Sequence, residues 1–218
     1  MSSLGVRRRF AVVSLALAGS LIALSACSGA DDPGADAAQS PSPSVSESVS
    51  PSPTPSPSAT YKPASAEGPA ENVPLPVMPE EAKVESKEGL IAFARYWYEL
   101  ANYGYQTGDV EPLKAISGPD CTVCNGLYST IEKGYESDDW FAGATVKIES
   151  VGSDYVQLEN GAYQALVMFR QDPIEAFGPG GVHYGTTGEG KPFVQLMDAR
   201  YVAGGWTAHE VITIQELP

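Results

Sequence analysis

Residues 86–105 read SKEGLIAFARYWYELANYGY, and the organisation of the folded part of the chain is worked out from here. Leu90, Phe93, Ala94, Trp97, Leu100, Ala101 and Gly104 recur every third or fourth residue, which places them on one face of a helix. Ser86 is positioned to cap that helix, and Glu88 falls in its first turn, where a negative charge meets the positive end of the helix dipole. Tyr96, Tyr98, Tyr103 and Tyr105 widen the apolar stripe. A buried phenol needs a partner for its hydroxyl. The helix is therefore expected either to face a pocket or interface, or to form ordinary core with tyrosine tips reaching water.

Working downstream, Thr107-Gly108-Asp109 ends this helix and caps a short second one over about 110–116. Ser117-Gly118-Pro119 breaks the chain, and Asp120 is expected to cap a third helix over about 121–136, with Cys124, Leu127, Tyr128, Ile131 and Tyr135 as its stripe. From Gly143 the pattern changes to strands: 145–151, a possible return at 155–158, 162–171, 193–202 and 206–215. Asn160-Gly161 is a strong hairpin signal, Gly204-Gly205 reads as the last turn, and 173–190, rich in Gly and Pro, reads as a loop and a candidate binding rim. The predicted class is α+β: three N-terminal helices on a curved antiparallel sheet of about four strands, as one domain over 80–218.

Upstream the composition changes. Twelve of the 18 Pro lie between Asp31 and Pro79, whereas ten of the 11 Tyr lie after residue 90. Residues 39–60 read QSPSPSVSESVSPSPTPSPSAT, with nine Ser, two Thr, six Pro and no aromatic. Such a segment buries too little apolar surface to offset its ordering entropy, so 27–79 is expected to be a solvated tether with polyproline character, of a composition that suits O-glycosylation. Residues 1–26 begin with Arg7-Arg8-Arg9 and continue into an apolar run from Phe10 to Ala23, the layout of an export signal and too short for a comfortable membrane span.

The run ends at Leu24-Ser25-Ala26-Cys27, which resembles the lipobox of bacterial lipoproteins. The resemblance implies that Cys27 carries a diacylglycerol and becomes the first residue after cleavage, on the extracytoplasmic face of the cell membrane. The whole chain is similar to a group of uncharacterised actinobacterial lipoproteins. The shared features are the lipobox, the tether, a helix like that at 92–103 and a Cys-x-x-Cys at a helix start. The order of elements in the domain resembles the cone-like fold of the nuclear transport factor 2 and ketosteroid isomerase superfamily, which implies an apolar cavity at an open end.

Charge and cysteine content narrow the function. The chain carries 13 Lys+Arg against 27 Asp+Glu, a formal charge of −14, which argues against nucleic-acid partners because these need a basic face. Cys121-Thr122-Val123-Cys124 admits three readings. A redox dithiol would use the helix N-terminus to lower a thiol pKa, but no strand–helix–strand context surrounds it. A metal site would need His183 and His209 to converge on the pair. A structural disulfide between Cys121 and Cys124 fits an exported protein and is preferred. Tyr side chains of the first helix, Asp198, His183 and His209 are the groups that could be cast in an acid–base site, but no spacing joins them, so no catalytic residue, metal or cofactor is assigned. The expected role is a membrane-anchored, non-catalytic binding or interaction module for a protein partner or small apolar ligand, as monomer or homodimer. The alternative is a small isomerase or hydrolase acting on an apolar substrate.

Overall fold

The computed structural model describes residues 59–188 and 190–216. The expected export signal, Cys27 and the tether up to residue 58 lie outside the described residues. Three helices, α1 (Lys87–Thr107), α2 (Glu111–Lys114) and α3 (Thr122–Lys133), precede seven strands. These are β1 (Trp140–Gly143), β2 (Val146–Gly152), β3 (Tyr163–Gln171), β4 (Ile174–Gly178), β5 (Val182–Thr187), β6 (Pro192–Val202) and β7 (Gly205–Glu216).

The expected plan of three helices on one cone-like sheet of about four strands is overturned. The strands form two antiparallel sheets, one of four in the order β2-β3-β6-β7 and one of three in the order β1-β4-β5, so strand dominates the architecture. The physical reason lies at one kink. β1 pairs with β4 and β2 with β3, with Gly143 opposite Ile174 and Val146 opposite Gln171. The two pairs are halves of one long ribbon, still joined where Ala144 N–H donates to Pro173 O (3.0 Å) and Asp172 N–H donates to Thr145 O (2.9 Å). Gly143 and Ala144 both have positive φ, 73° and 58°, which turns the ribbon out of its first plane. Only glycine fits at 143, since a Cβ there would stand 2.3 Å from Pro173 O. The Gly- and Pro-rich stretch read as a loop is thus a hairpin. Gly180 and Gly181, both with positive φ, make its turn, and the flanking residues pair as β4 and β5.

α1 follows its sequence signals closely, whereas α2 is shorter than expected and has Val110, not Asp109, as its N-cap. Ser86 Oγ accepts from Gly89 N–H (2.9 Å), and every member of the expected α1 stripe is buried. Gly108 closes α1 in the left-handed region, and a Cβ there would also meet the Tyr135 ring at 2.6 Å. α3 is capped differently from expectation. Cys121, not Asp120, is its N-cap, with Sγ accepting from Cys124 N–H at 3.3 Å. α1 and α3 cover one face of the four-stranded sheet and share a core with Ala165, Val167, Phe169, Met197, Ala199, Trp206, Ala208 and Val211. Along β3 and β6 these alternate with more exposed residues such as Leu166 and Leu196, the pleat of a sheet with one buried face. Near the other end of α1, Asn102 donates to Val146 O (3.0 Å) and accepts from Val146 N–H (2.7 Å), pinning the helix to the start of β2.

Residues 60–79, on the tether side of the boundary expected at 80, form a strap over the domain. Lys62 and Glu71, then Ser65 and Gly68, make antiparallel bridges. Tyr61 O–H donates to Gln106 Oε1 (2.7 Å) on α1, and Trp140 Nε1–H donates to Ser65 O (2.8 Å). Ala64 packs on the small cluster of Trp140, Ala142 and Phe177, and Met78 packs on the main core. Just after the strap, Tyr201 O–H and Trp206 Nε1–H donate to Lys83 O and Val84 O (2.8 and 2.9 Å).

Candidate functional site

Between α1, α3 and the buried face of the large sheet lies a cleft of about 230 Å³. α1 contributes Trp97, Tyr98, Ala101 and Tyr105, α3 contributes Val123 and Leu127, and the sheet supplies Val146, Phe169, Gln171 and Gln195. Helical spacing explains the first group: residues three, four and seven apart share a face. The ring of Tyr98 lies edge-on to Trp97 and 5.2 Å from that of Phe169, which itself stacks on Phe193 at 5.5 Å. These contacts make the wall aromatic.

The polar atoms of the cleft are amides and phenols. Tyr98 O–H donates to Gln195 Oε1 (2.6 Å), and Gln195 Nε2–H donates onward to Thr213 Oγ1 (3.0 Å). Gln171 Nε2–H donates to Ala144 O (3.1 Å). Burial pushes the Tyr98 phenol far above its ordinary range. It also raises Tyr105, where the Gln171 side chain partly offsets it. Neither phenol is ionised near neutral pH. No Asp, Glu, Lys, Arg or His lines the cleft among the described residues.

The residues considered for acid–base work lie elsewhere. Asp198 is on the opposite face of β6, accepting from Gln164 Nε2–H (3.0 Å). His183 is exposed on β5, its ring 4.9 Å from that of Phe177. His209 is half-buried on β7 and sits against Gly118. The structure does not bring these three together, and no group of three or more His, Cys, Asp or Glu among the described residues is arranged to hold a metal. Of the first-helix tyrosines, Tyr98 and Tyr105 face the cleft, whereas Tyr103 lines a groove with Tyr61 and the strap. Gln171 and Gln195 escaped the sequence reading. Their signal was parity: each continues an inward-facing alternation, Ala165-Val167-Phe169-Gln171 and Gln195-Met197-Ala199, in which a polar residue is out of place unless it serves a cavity.

A larger groove of about 440 Å³ lies on the opposite sheet face, walled by 152–158 and floored by Leu166 and Leu196. Leu166, Leu196 and Ile212 sit in register across β3, β6 and β7, and Leu166 and Ile212 are exposed. It is less enclosed by aromatic side chains, and the smaller cleft is the better-built site.

Cys121 and Cys124 are at disulfide distance, with their Cα atoms 5.2 Å apart and both side chains buried. The pair begins the helix that supplies Val123 and Leu127 to the cleft. Replacing both by Ala should cost roughly 2–3 kcal/mol, from closure of a very small loop and loss of the sulfur cap. Urea titration checks this. Alkylation of Cys121 and Cys124, read by peptide mass, should fail in the native protein until reductant and denaturant are combined, because neither sulfur reaches solvent. Labelling of either under native conditions without reductant would contradict it.

Residues 59–212 match a family of unknown function, DUF6318. The chain belongs to this family. The DUF6318 match takes in the strap, all three helices and both sheets, and stops within β7. No curated protein matches the chain. Among solved structures, the intermembrane space region of the chloroplast protein ARC6 aligns with a TM-score of 0.41 at 10% identity, covering 60% of this chain and 97% of that one. At that score the likeness carries no argument.

Proposed function

We propose that this DUF6318 chain is a lipid-anchored extracytoplasmic protein whose domain binds a small apolar ligand in the α1–α3 cleft without transforming it. The observation that carries the binding reading is the cleft itself: aromatic walls, a few amide and phenol groups already hydrogen-bonded within the protein, and no carboxylate or imidazole facing inward among the described residues. Isomerases and hydrolases working by proton transfer need a group within hydrogen-bond reach of substrate whose pKa lies near the working pH, and burial pushes both phenols of the cleft upward, away from it. Small-molecule sites, by contrast, are mostly apolar with a few placed polar groups.

The anchor rests on Leu24-Ser25-Ala26-Cys27, on the basic and apolar run before it, and on the resemblance to actinobacterial lipoproteins. No described helix is long and apolar enough to cross a membrane. Acylation is therefore the attachment this reading relies on, and two or more buried chains hold a protein stably on a bilayer.

Two measurements test the proposal. Cells fed a labelled fatty acid should label the protein and retain it in the membrane fraction, and Cys27→Ala should abolish both. Label persisting in the variant would overturn the anchor. For the binding reading, a neutral aromatic ligand at a hundred times its dissociation constant should stabilise the fold by about 2.7 kcal/mol, seen as a raised Tm. Thermal shifts that are absent across a panel of neutral apolar compounds would overturn it.

A further inference from the structure

We infer that the cleft selects an uncharged ligand of about two fused rings that carries a hydroxyl or N–H, received by the phenol oxygen of Tyr98. This rests on the binding reading above and deepens it by assigning the ligand's class. Size comes first. A cavity of about 150 Å³ lined by aliphatic and aromatic side chains accepts benzene. The cleft holds about 230 Å³, which leaves room for a second ring. Its walls of Trp97, Tyr98 and Phe169 offer flat surfaces that suit a planar guest.

Charge comes second. No ionisable side chain except tyrosine lines the cleft among the described residues, so neither a carboxylate nor an ammonium would find a counter-ion there. Burying an unpaired charge is heavily penalised, whereas a neutral polar group needs only one hydrogen bond. An ammonium would gain some attraction from the aromatic faces, but without a carboxylate this is a partial return on its lost hydration.

Polarity of the hydrogen bond comes third. The Tyr98 proton is committed to Gln195 Oε1, and one of the two Gln195 Nε2–H protons to Thr213 Oγ1. Tyr98 therefore presents oxygen lone pairs to a guest, and a guest that donates matches it. Because the chain Tyr98–Gln195–Thr213 is already formed, the acceptor is oriented before the ligand arrives.

The test uses four probes of one ring system: 1-naphthol, naphthalene, 1-naphthoate and 1-naphthylmethylammonium. They are titrated into the full chain carrying Cys27→Ser, labelled with ¹⁵N. The three indole N–H signals of Trp97, Trp140 and Trp206 are the readout, since only Trp97 lines the cleft. 1-Naphthol is expected to move the Trp97 signal alone, with affinity about tenfold above naphthalene and at least tenfold above both ions, the worth of one good hydrogen bond. Tyr98→Phe should bring naphthol down to the affinity of naphthalene while leaving naphthalene binding in place. An ion binding as well as naphthol, or a naphthol preference that survives Tyr98→Phe, overturns this inference and leaves the binding reading standing. A Trp97 signal unmoved by all four probes overturns the cleft as a binding site altogether.

Discussion

Raising the pH from about 10 to 12 is expected to unfold the protein cooperatively, with tyrosine ionisation and loss of structure in one transition. The cause is a set of buried phenols. Burial pushes Tyr135 up to about 12, with the Phe141 backbone pulling slightly the other way. It pushes Tyr98 higher still, and it raises Tyr105 and Tyr128 as well. In the unfolded chain a tyrosine loses its proton near its ordinary value of about 10. Between that value and the folded one, the folded state holds more protons than the unfolded state, so stability falls as pH rises. Below the unfolded value both states are protonated and the contribution is fully present. Tyr135 alone removes on the order of 2–3 kcal/mol by pH 12, since each unit of displacement is worth about 1.4 kcal/mol. Tyr98 removes at least as much over the same window. Against a net stability of about 5–15 kcal/mol for an ordinary domain, these losses are decisive. The measurement is a pH titration following tyrosinate absorbance near 295 nm together with far-ultraviolet circular dichroism. The buried set, Tyr98, Tyr105, Tyr128 and Tyr135, should ionise in a step that coincides with unfolding. Full ionisation of all tyrosines with the dichroism unchanged would refute this account.

The helices were legible because their determinants are local. The α1 stripe from Leu90 to Gly104, the Ser86 cap and the Gly108 stop each act within a few residues. The same holds for the edges of β2, β3, β6 and β7, which lie within one or two residues of expectation. The final turn was displaced by one: Ala203 and Gly204, not Gly204 and Gly205, carry the positive φ of the hairpin. Asn160-Gly161 does form a turn, closed by Gly161 N–H donating to Leu158 O, but no strand at 155–158 flanks it. There the hydrogen-bonding partner of β3 is β2, and 153–162 is the connection between them.

The second sheet was not legible, for a non-local reason. β1 is four residues long, with three consecutive buried positions and no alternation to read. Its partner β4 lies some thirty residues on, inside a stretch whose glycines suggest a loop. What stabilises this pair is the stacking of Trp140 on Phe177 (ring centres 6.0 Å apart) and the seat it gives the strap, and neither contact leaves a local trace. The strap was missed likewise. Its proline content continues that of the tether, and only scattered anchors such as Tyr61, Ala64 and Met78 distinguish it. The cleft was half legible: the tyrosines of α1 left a cavity or interface open beside ordinary core, and the two glutamines facing them acquire meaning only once strand parity is known.

Trp97→Ala should be the most damaging single substitution in the domain, costing about 3–5 kcal/mol. Trp97 is 1% exposed, the largest of the fully buried side chains. Its indole touches three separate parts of the structure. One face lines the cleft and meets Tyr98 edge-on at 4.9 Å. Its Nε1–H donates to Ser117 Oγ (2.9 Å), which in turn donates to Leu113 O (2.8 Å) at the end of α2. Ser117 is also where the chain bridges to Ala208 of β7, so the indole ties the helical layer to the sheet edge. Removing it opens a void beside an existing cleft and leaves Ser117 without its donor. Partial collapse is the only relief, because Leu100, Leu113 and Met197 nearby in the core are already fully buried. Trp97→Phe separates the contributions. It keeps most of the packing and loses the hydrogen bond, so it should cost about 1–2 kcal/mol. Equilibrium urea unfolding of the two variants and wild type reads both values from the shift in midpoint at constant slope. A loss below about 1 kcal/mol for Trp97→Ala would mean that the indole is not the keystone of the helix–sheet interface. A loss for Trp97→Phe as large as for Ala would place the energy in the Ser117 hydrogen bond and not in the packing.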